Sequence, residues 1–314
     1  MITLTATDDT GRITTATLFQ GIFAPLTARA PSASSSIIFE DRPTGTNDRV
    51  WCVNPDNNSV SVFDAVTRAR LAETTVGTSP RALALAPDGR VWVTNHEAGT
   101  VSIISGSTLA VVQALTLPRG SRPFGIAFDP DGTDGWIVCE GTGQLLRMNP
   151  TTAAQVATLD VGVNARHISV SADGARVFVT RFITPQLPGE NSATVSPTDT
   201  TGGEILSIVT ASLAIEKKSI LTHSTRPDTI NTGRGIPNYL GPAVISPDGL
   251  TAWVPSKQDN ILRGMLRDGS QLTHDQTVRS VASRIVLTGG VPANTDDMPG
   301  RVDFDNAGIA SNGA

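Results

Sequence analysis

The chain has 314 residues, 39% hydrophobic and 17% charged, with 29 Gly and 20 Pro. That much Gly and Pro excludes helical bundles and coiled coils, and no run approaches the roughly 18 apolar residues of a membrane span. The net charge of −5 argues against a nucleic-acid partner held by a basic surface. Of the 24 basic residues only Lys217, Lys218 and Lys257 are lysine. Codon bias explains such a skew, and so does a use for arginine in bidentate anion contacts. Cys52 and Cys139 are the only cysteines, with no CxxC or CxxCH. Nothing here supports a disulfide framework, a zinc ribbon or covalent haem, and no cofactor is expected.

At the N-terminus, Met1–Ala6 leads directly into Asp8-Asp9, without the charged and apolar regions of a signal peptide. Ile2–Ala6, the turn Asp8-Asp9-Thr10-Gly11 and Arg12–Phe19 predict a hairpin. It resembles the last two strands of a PKD or Ig-like domain, and two strands cannot form a sandwich core alone. Residues 1–33 are therefore read as the end of such a domain plus a linker, and 34–314 as a second domain.

From residue 34 the chain repeats. Val50-Trp51-Cys52-Val53-Asn54, Val91-Trp92-Val93-Thr94-Asn95, Gly135-Trp136-Ile137-Val138-Cys139, Val177-Phe178-Val179-Thr180-Arg181 and Ala252-Trp253-Val254-Pro255-Ser256 occupy one slot. Their aromatic residues are 41, 44, 42 and 75 residues apart. The pairs Asp88-Gly89, Asp131-Gly132, Asp173-Gly174 and Asp248-Gly249 step by 43, 42 and 75. Two independent landmarks thus report a period of about 42 with one enlarged unit. Each unit holds short alternating runs bounded by turn residues. Arg81–Leu85, the turn Pro87-Asp88-Gly89, Arg90–Asn95, Thr100–Ser105 and Val111–Leu117 form one such unit. Four strands per period predict an all-β propeller of four-stranded blades, rather than a solenoid of shorter coils. All four Trp share one phase, so the slot is read as packing between blades.

Arg90-Val91-Trp92-Val93-Thr94-Asn95, Gly99–Ile104 and Gly77-Thr78-Ser79-Pro80-Arg81 resemble the YVTN-type propeller repeat of surface-layer and related secreted proteins. The resemblance covers roughly Ser34 to Leu287. It implies blades ordered A to D from centre to rim, with inner strands at Ser35–Glu40, Ala82–Ala86, Pro123–Asp129, Arg166–Ser171 and Pro242–Ser246. It also implies a seven-bladed family habit, against five complete blades here and an incomplete C-terminus. The chain is therefore read as a window from a longer polypeptide, with five-bladed closure as the competitor. Cys139, Arg181 and Ser256 replace the motif's Asn, so those three turns are expected to differ in shape.

Two insertions, Phe182–Gly203 and Leu221–Leu240, account for the long step and are expected on one face, where binding loops sit on repeat scaffolds. The second carries His223, Arg226, Arg234 and Tyr239, the only Tyr. Arg81, Arg122 and Arg166 begin inner strands near the channel mouth, beside His167, with Arg181 at the end of a second strand. A partial arginine ring there suits a carboxylate or phosphate, and pairing with neighbouring carboxylates and carbonyls is the alternative. No hydrolase, zincin, P-loop or dinucleotide motif occurs. Asp129–Asp134 has a calcium-like look but lacks the downstream Glu, and the four His lack ligand spacing, so no metal is expected. His274 is read as a C–D loop residue of the opposite face. The expected function is a non-enzymatic binding scaffold, extracellular or periplasmic, with a protein, cell-surface or anionic partner. The rival is a propeller portion of a lactonase-like, lyase-like or redox enzyme.

Overall fold

The computed structural model describes residues 2–18, 32–189, 198–227, 233–260 and 277–304. Among them the regular structure is strand throughout, apart from two 3-10 turns. Strands β1 (Ile2–Thr7) and β2 (Ile13–Leu18) pair only with each other. Blade 1 comprises β3 (Ile37–Glu40), β4 (Arg49–Asn54), β5 (Ser59–Asp64) and β6 (Arg70–Thr75). Blade 2 comprises β7 (Pro80–Leu85), β8 (Val91–Asn95), β9 (Thr100–Ile104) and β10 (Val111–Thr116). Blade 3 comprises β11 (Pro123–Phe128), β12 (Gly135–Cys139), β13 (Gln144–Met148) and β14 (Gln155–Asp160). Blade 4 comprises β15 (Ala165–Val170), β16 (Arg176–Arg181), β17 (Gly203–Val209) and β18 (Ala214–Leu221). These four blades are antiparallel sheets with strands in sequence order, because each short Asx- and Gly-containing turn returns the chain beside itself.

Blade 5 is less regular than the repeat implies. Its inner strand is split into β19 (Ile236–Asn238) and β20 (Val244–Ile245), both pairing with β21 (Thr251–Asp259). The third strand, β22 (Val278–Thr288), pairs directly with β21, and β23 (Val291–Pro292) and β24 (Val302–Asp303) take the outer position. His274, expected in a C–D loop, lies with residues 261–276 outside the described residues.

Alternation assigns the core. Trp51 packs with Leu83, Val91 and Val93 of blade 2, and Trp92 with Ile126, Phe128 and Ile137 of blade 3. Trp136 meets Ile168, Val177 and Val179 of blade 4, and Phe178 meets Ala252, Val254 and Ile285 of blade 5. Each aromatic is the wedge between its own blade and the next. Trp253 departs from the pattern: it is only half-buried and, among the described residues, belongs to no core cluster.

The wedges differ in their polar ends. Trp51 Nε1 donates to Glu40 Oε2 at 2.7 Å, and Trp136 Nε1 to Asp129 Oδ1 at 2.6 Å. Blade 2 has Ala86 at the equivalent place, and Trp92 Nε1 has no hydrogen-bond partner among the described residues. The Asp129–Asp134 turn is thus a structural device. Burial pushes the Asp129 carboxyl up to about 6 against the pull of the indole, while Asp131 Oδ1 takes the Thr133 amide and hydroxyl.

The expectation of altered turns at the Asn slot fails at Cys139. Asn54, Asn95 and Cys139 each pair with the residue five positions on, so the hairpin keeps its length. Asn95 Nδ2 does bond Thr100 and Ser102, but the ladder hydrogen bonds hold the same turn without it. One feature left no trace in the repeat. Ser32–Ser36 runs along the inner strands of blades 2 and 4, with Ser34 N bonded to Ile168 O and Leu83 N to Ser35 O.

Candidate functional site

Two phases of the repeat build the mouth of the channel. The first is the residue at the bulge that opens each inner strand. Register shifts fall between Pro80 and Ala82, between Pro123 and Ile126, and between Ala165 and His167. A bulge re-aims its extra side chain, and here these are Arg81, Phe124 and Arg166. The second phase is the residue just after the second strand: Pro55, His96, Glu140, Phe182 and, in the longer β21, Lys257. Gly125 permits the crowding, since a Cβ there would lie 2.8 Å from Arg166 O.

The partial arginine ring is not what forms. Arg122 occupies the turn position before the bulge, with φ +46, in line with Ser79 at +56 and Asn164 at +60. Its side chain is exposed and, among the described residues, reaches only Glu97, at 3.5 Å. Phe124 takes the place beside Arg81 and Arg166.

Arg166 is engaged on all sides. Its Nε and Nη2 donate to Glu140 Oε1 at 2.9 and 2.5 Å, and its guanidinium lies 4.8 Å from the Phe124 ring centroid and 3.2 Å from that of Phe182. His96 Nε2 lies 3.0 Å from Glu140 Oε2, and its Nδ1 lies 3.1 Å from Glu97 Oε1. Burial raises the Glu140 carboxyl, but His96 and Arg166 outweigh it and hold the group below its ordinary range. The two carboxylates meet opposite edges of one imidazole, so they do not converge on a common point. Among the described residues, no trio of His, Cys, Asp or Glu is arranged to hold a metal ion.

The insertions continue this ladder. Phe182 stacks on Tyr239 with centroids 4.5 Å apart and planes at 11°, and Lys257 Nζ sits 4.0 Å from the Tyr239 centroid. Thr184 N bonds Asn238 Oδ1 at 3.0 Å, and Thr184 Oγ1 donates to Pro237 O at 2.5 Å. Both insertions therefore lie side by side. Residues 190–197 and 228–232 of these loops lie outside the described residues.

Arg81 stands apart. It lines a cavity of about 550 Å³ with Ser34, Val53, Phe124, His167 and Pro242, so all five blades reach it. Its half-buried guanidinium has no ion pair, and its buried Nε has no hydrogen-bond partner among the described residues. His167 forms the facing wall, edge-on to Phe124 at 5.0 Å. Burial, aided by Arg166, lowers its pKa to about 4, so the imidazole is neutral near pH 7.

The remaining expected site residues are elsewhere. Arg181 bridges Glu204 at 2.7 Å and Val161 O at 3.0 Å, tying blade 4 to the edge of blade 3. Arg226 donates to Met298 O at 2.8 Å, and neighbouring Thr222 bonds Asp296. That draws His223 and Arg226 toward the outer side of blades 4 and 5. Arg234 is half-buried beside Gly233, whose carbonyl accepts from Ser224 and Gln258. Thus Arg81, Arg166, His167 and Tyr239 gather at the mouth or along its ladder, and Arg181, His223, Arg226 and Arg234 do not. Sequence reading missed Phe124, Glu140, Phe182 and Lys257 as site residues, though the two repeat phases carry the signal for all four.

No family model matches the chain, and no curated protein matches it. Solved structures do. One is hydrazine synthase of Kuenenia stuttgartiensis, with 18% identity and a TM-score of 0.63 over 86% of this chain and 68% of that one. A putative 6-phosphogluconolactonase from Bacteroides fragilis gives 15% and 0.53 over 84% and 70%. The WD40 domain of Toxoplasma gondii coronin gives 12% and 0.53 over 79% and 55%. The fold is a β-propeller. At these identities the likeness extends to the fold alone, and propellers host many unrelated functions.

Proposed function

We propose that this propeller is a binding scaffold whose channel-mouth cavity takes an anionic group, a carboxylate or a phosphate, on Arg81. The observation that carries the reading is the contrast between two equivalent arginines. Arg166 is consumed by Glu140 and two rings, whereas Arg81, at the same repeat position, faces a cavity with no counter-charge among the described residues. A guanidinium half-removed from water gains most from a bidentate anion. Phe124, Val53 and Pro242 supply apolar wall for the rest of the ligand. The repeat's likeness to secreted propellers extends the reading to an extracellular or periplasmic setting, with β1–β2 as the end of a preceding PKD or Ig-like domain.

Thermal-shift titration with citrate, inorganic phosphate and benzoate tests the cavity. At least one anion should raise the melting temperature of the wild type and of Arg122→Gln, and leave Arg81→Gln unmoved. Equal responses from wild type and Arg81→Gln would defeat the proposal. An enzymatic reading rests on His96 between two carboxylates near the cavity, in a fold shared with a protein titled a putative 6-phosphogluconolactonase. Hydrolysis of that lactone, lost on His96→Ala, would favour it instead.

A further inference from the structure

We infer that the cavity at Arg81 selects a monocarboxylate with an apolar body over a phosphate ester, and that Ser35 is the second donor to the carboxylate. The inference rests on the reading that Arg81 takes an anion, and it narrows the class of that anion.

The charge at the cavity suits one negative charge. Among the described residues, Arg81 is the one Lys or Arg that lines it. His167, the other titratable lining group, is kept neutral near pH 7 by burial and by the adjacent Arg166. Arg166 itself is matched by Glu140, at 2.9 and 2.5 Å. A phosphate monoester carries about −1.5 to −2 charge at pH 7. Much of the excess over one charge would enter a partly buried site without a partner, and burying an unpaired charge is costly. A carboxylate carries a single charge, and the planar guanidinium fork matches its two oxygens.

The donors are equally few. Ser35 holds in blade 1 the repeat position that Arg81 holds in blade 2: each lies three residues before the residue paired with the second-strand Trp. It is half-buried and bridged to Leu83, two residues from Arg81. Its Oγ accepts from Ile37 N at 3.2 Å, which leaves the hydroxyl hydrogen without an acceptor among the described residues. Ser34 is committed by contrast, since its Oγ accepts from Ile168 N at 3.1 Å and lies 3.5 Å from His167 Nδ1. Ser36 is exposed, so a hydrogen bond to it exchanges almost evenly with water. The Arg81 fork and one hydroxyl serve two carboxylate oxygens, whereas three phosphate oxygens would be only partly served.

The rest of the wall is apolar: Val53, Pro55, Ala82, Phe124 and Pro242. These side chains offer no hydrogen bond to a hydroxylated ligand, which would lose water there without replacement. Affinity for the body of the ligand therefore comes from apolar burial, and a cavity of about 550 Å³ admits a phenyl ring.

Isothermal titration calorimetry near pH 7 with phenylacetate, acetate and phenyl phosphate tests this on the wild type, Arg81→Gln and Ser35→Ala. Phenylacetate should bind the wild type at least about tenfold tighter than either acetate or phenyl phosphate. Arg81→Gln should abolish its binding, and Ser35→Ala should weaken it about tenfold with the melting temperature unchanged. Phenyl phosphate binding as tightly as phenylacetate, and lost in Arg81→Gln, would overturn the inference while leaving Arg81 as an anion site. Acetate equal to phenylacetate would overturn the apolar body, and wild-type affinity in Ser35→Ala would overturn the second donor. Binding that Arg81→Gln leaves intact would defeat the anion reading itself. No heat from any of the three probes also overturns the inference, and the thermal-shift titration above then decides separately whether Arg81 takes an anion.

Discussion

The three tryptophan wedges offer a measurement in which one chemical change is made in three settings. Trp→Phe at 51, 92 or 136 removes comparable ring volume from a fully buried joint, a packing loss of about 1–3 kcal/mol. At Trp51 and Trp136 it also deletes a buried N–H donor to a carboxylate. Hydrogen bonds to charged groups contribute about 1.5–3 kcal/mol, and the acceptor is left behind in the joint. At Trp92 the indole N–H has no partner, so its deletion instead relieves a desolvation cost of about 1–3 kcal/mol. Trp136→Phe should therefore cost about 2.5–6 kcal/mol more than Trp92→Phe, with Trp51→Phe close to Trp136→Phe. Urea unfolding followed by far-UV circular dichroism reads the difference without relying on the deleted fluorophore. Equal costs at the three sites, within about 0.5 kcal/mol, would refute the claim that the carboxylate cap distinguishes them.

Further outcomes concern pH and packing. Asp129 holds its proton up to about pH 6 when folded, against an ordinary carboxyl value of 3.8, so its contribution to stability is lost as pH rises between those values. Asp129→Asn should flatten that fall, which amounts to roughly 3 kcal/mol at most, and an unchanged pH–stability curve would contradict it. His167 has the opposite sign: its pKa is lowered from 6.5 to about 4, so stability is lost as pH falls through that window. His167→Gln should remove this acid sensitivity in the same titration. Gly125→Ala sets a Cβ 2.8 Å from Arg166 O and should cost about 1–3 kcal/mol; a neutral effect on the melting temperature would show that β11 and β15 are less closely apposed. Arg166→Lys should destabilise despite keeping the charge, because lysine cannot both fork onto Glu140 and lie flat between Phe124 and Phe182.

Much of the architecture was written in the sequence because a propeller repeats its local rules. The Trp slot and the Asp-Gly turns report the blade period directly, and period-two alternation separates joint-facing from opposite-facing residues. The same repetition carried the general place of the site, since bulge residues and the residues after each second strand recur in phase. What it did not carry was which equivalent residue is free. Arg81 and Arg166 hold the same repeat position, and Arg122 lies two residues out of phase with them, at the positive-φ turn it shares with Ser79 and Asn164. Only the three-dimensional meeting of blades consumes Arg166 with Glu140 and two rings and leaves Arg81 facing the cavity.

Composition and spacing alone thus determined an all-β chain of wedge-bearing blades, because strand length, turn chemistry and alternation are local properties. Contacts between residues many positions apart decided the rest. Ser34 against Ile168, Phe182 on Tyr239 and the incomplete cover over Trp253 depend on which strands become neighbours, and no repeat of about 42 residues encodes that within itself.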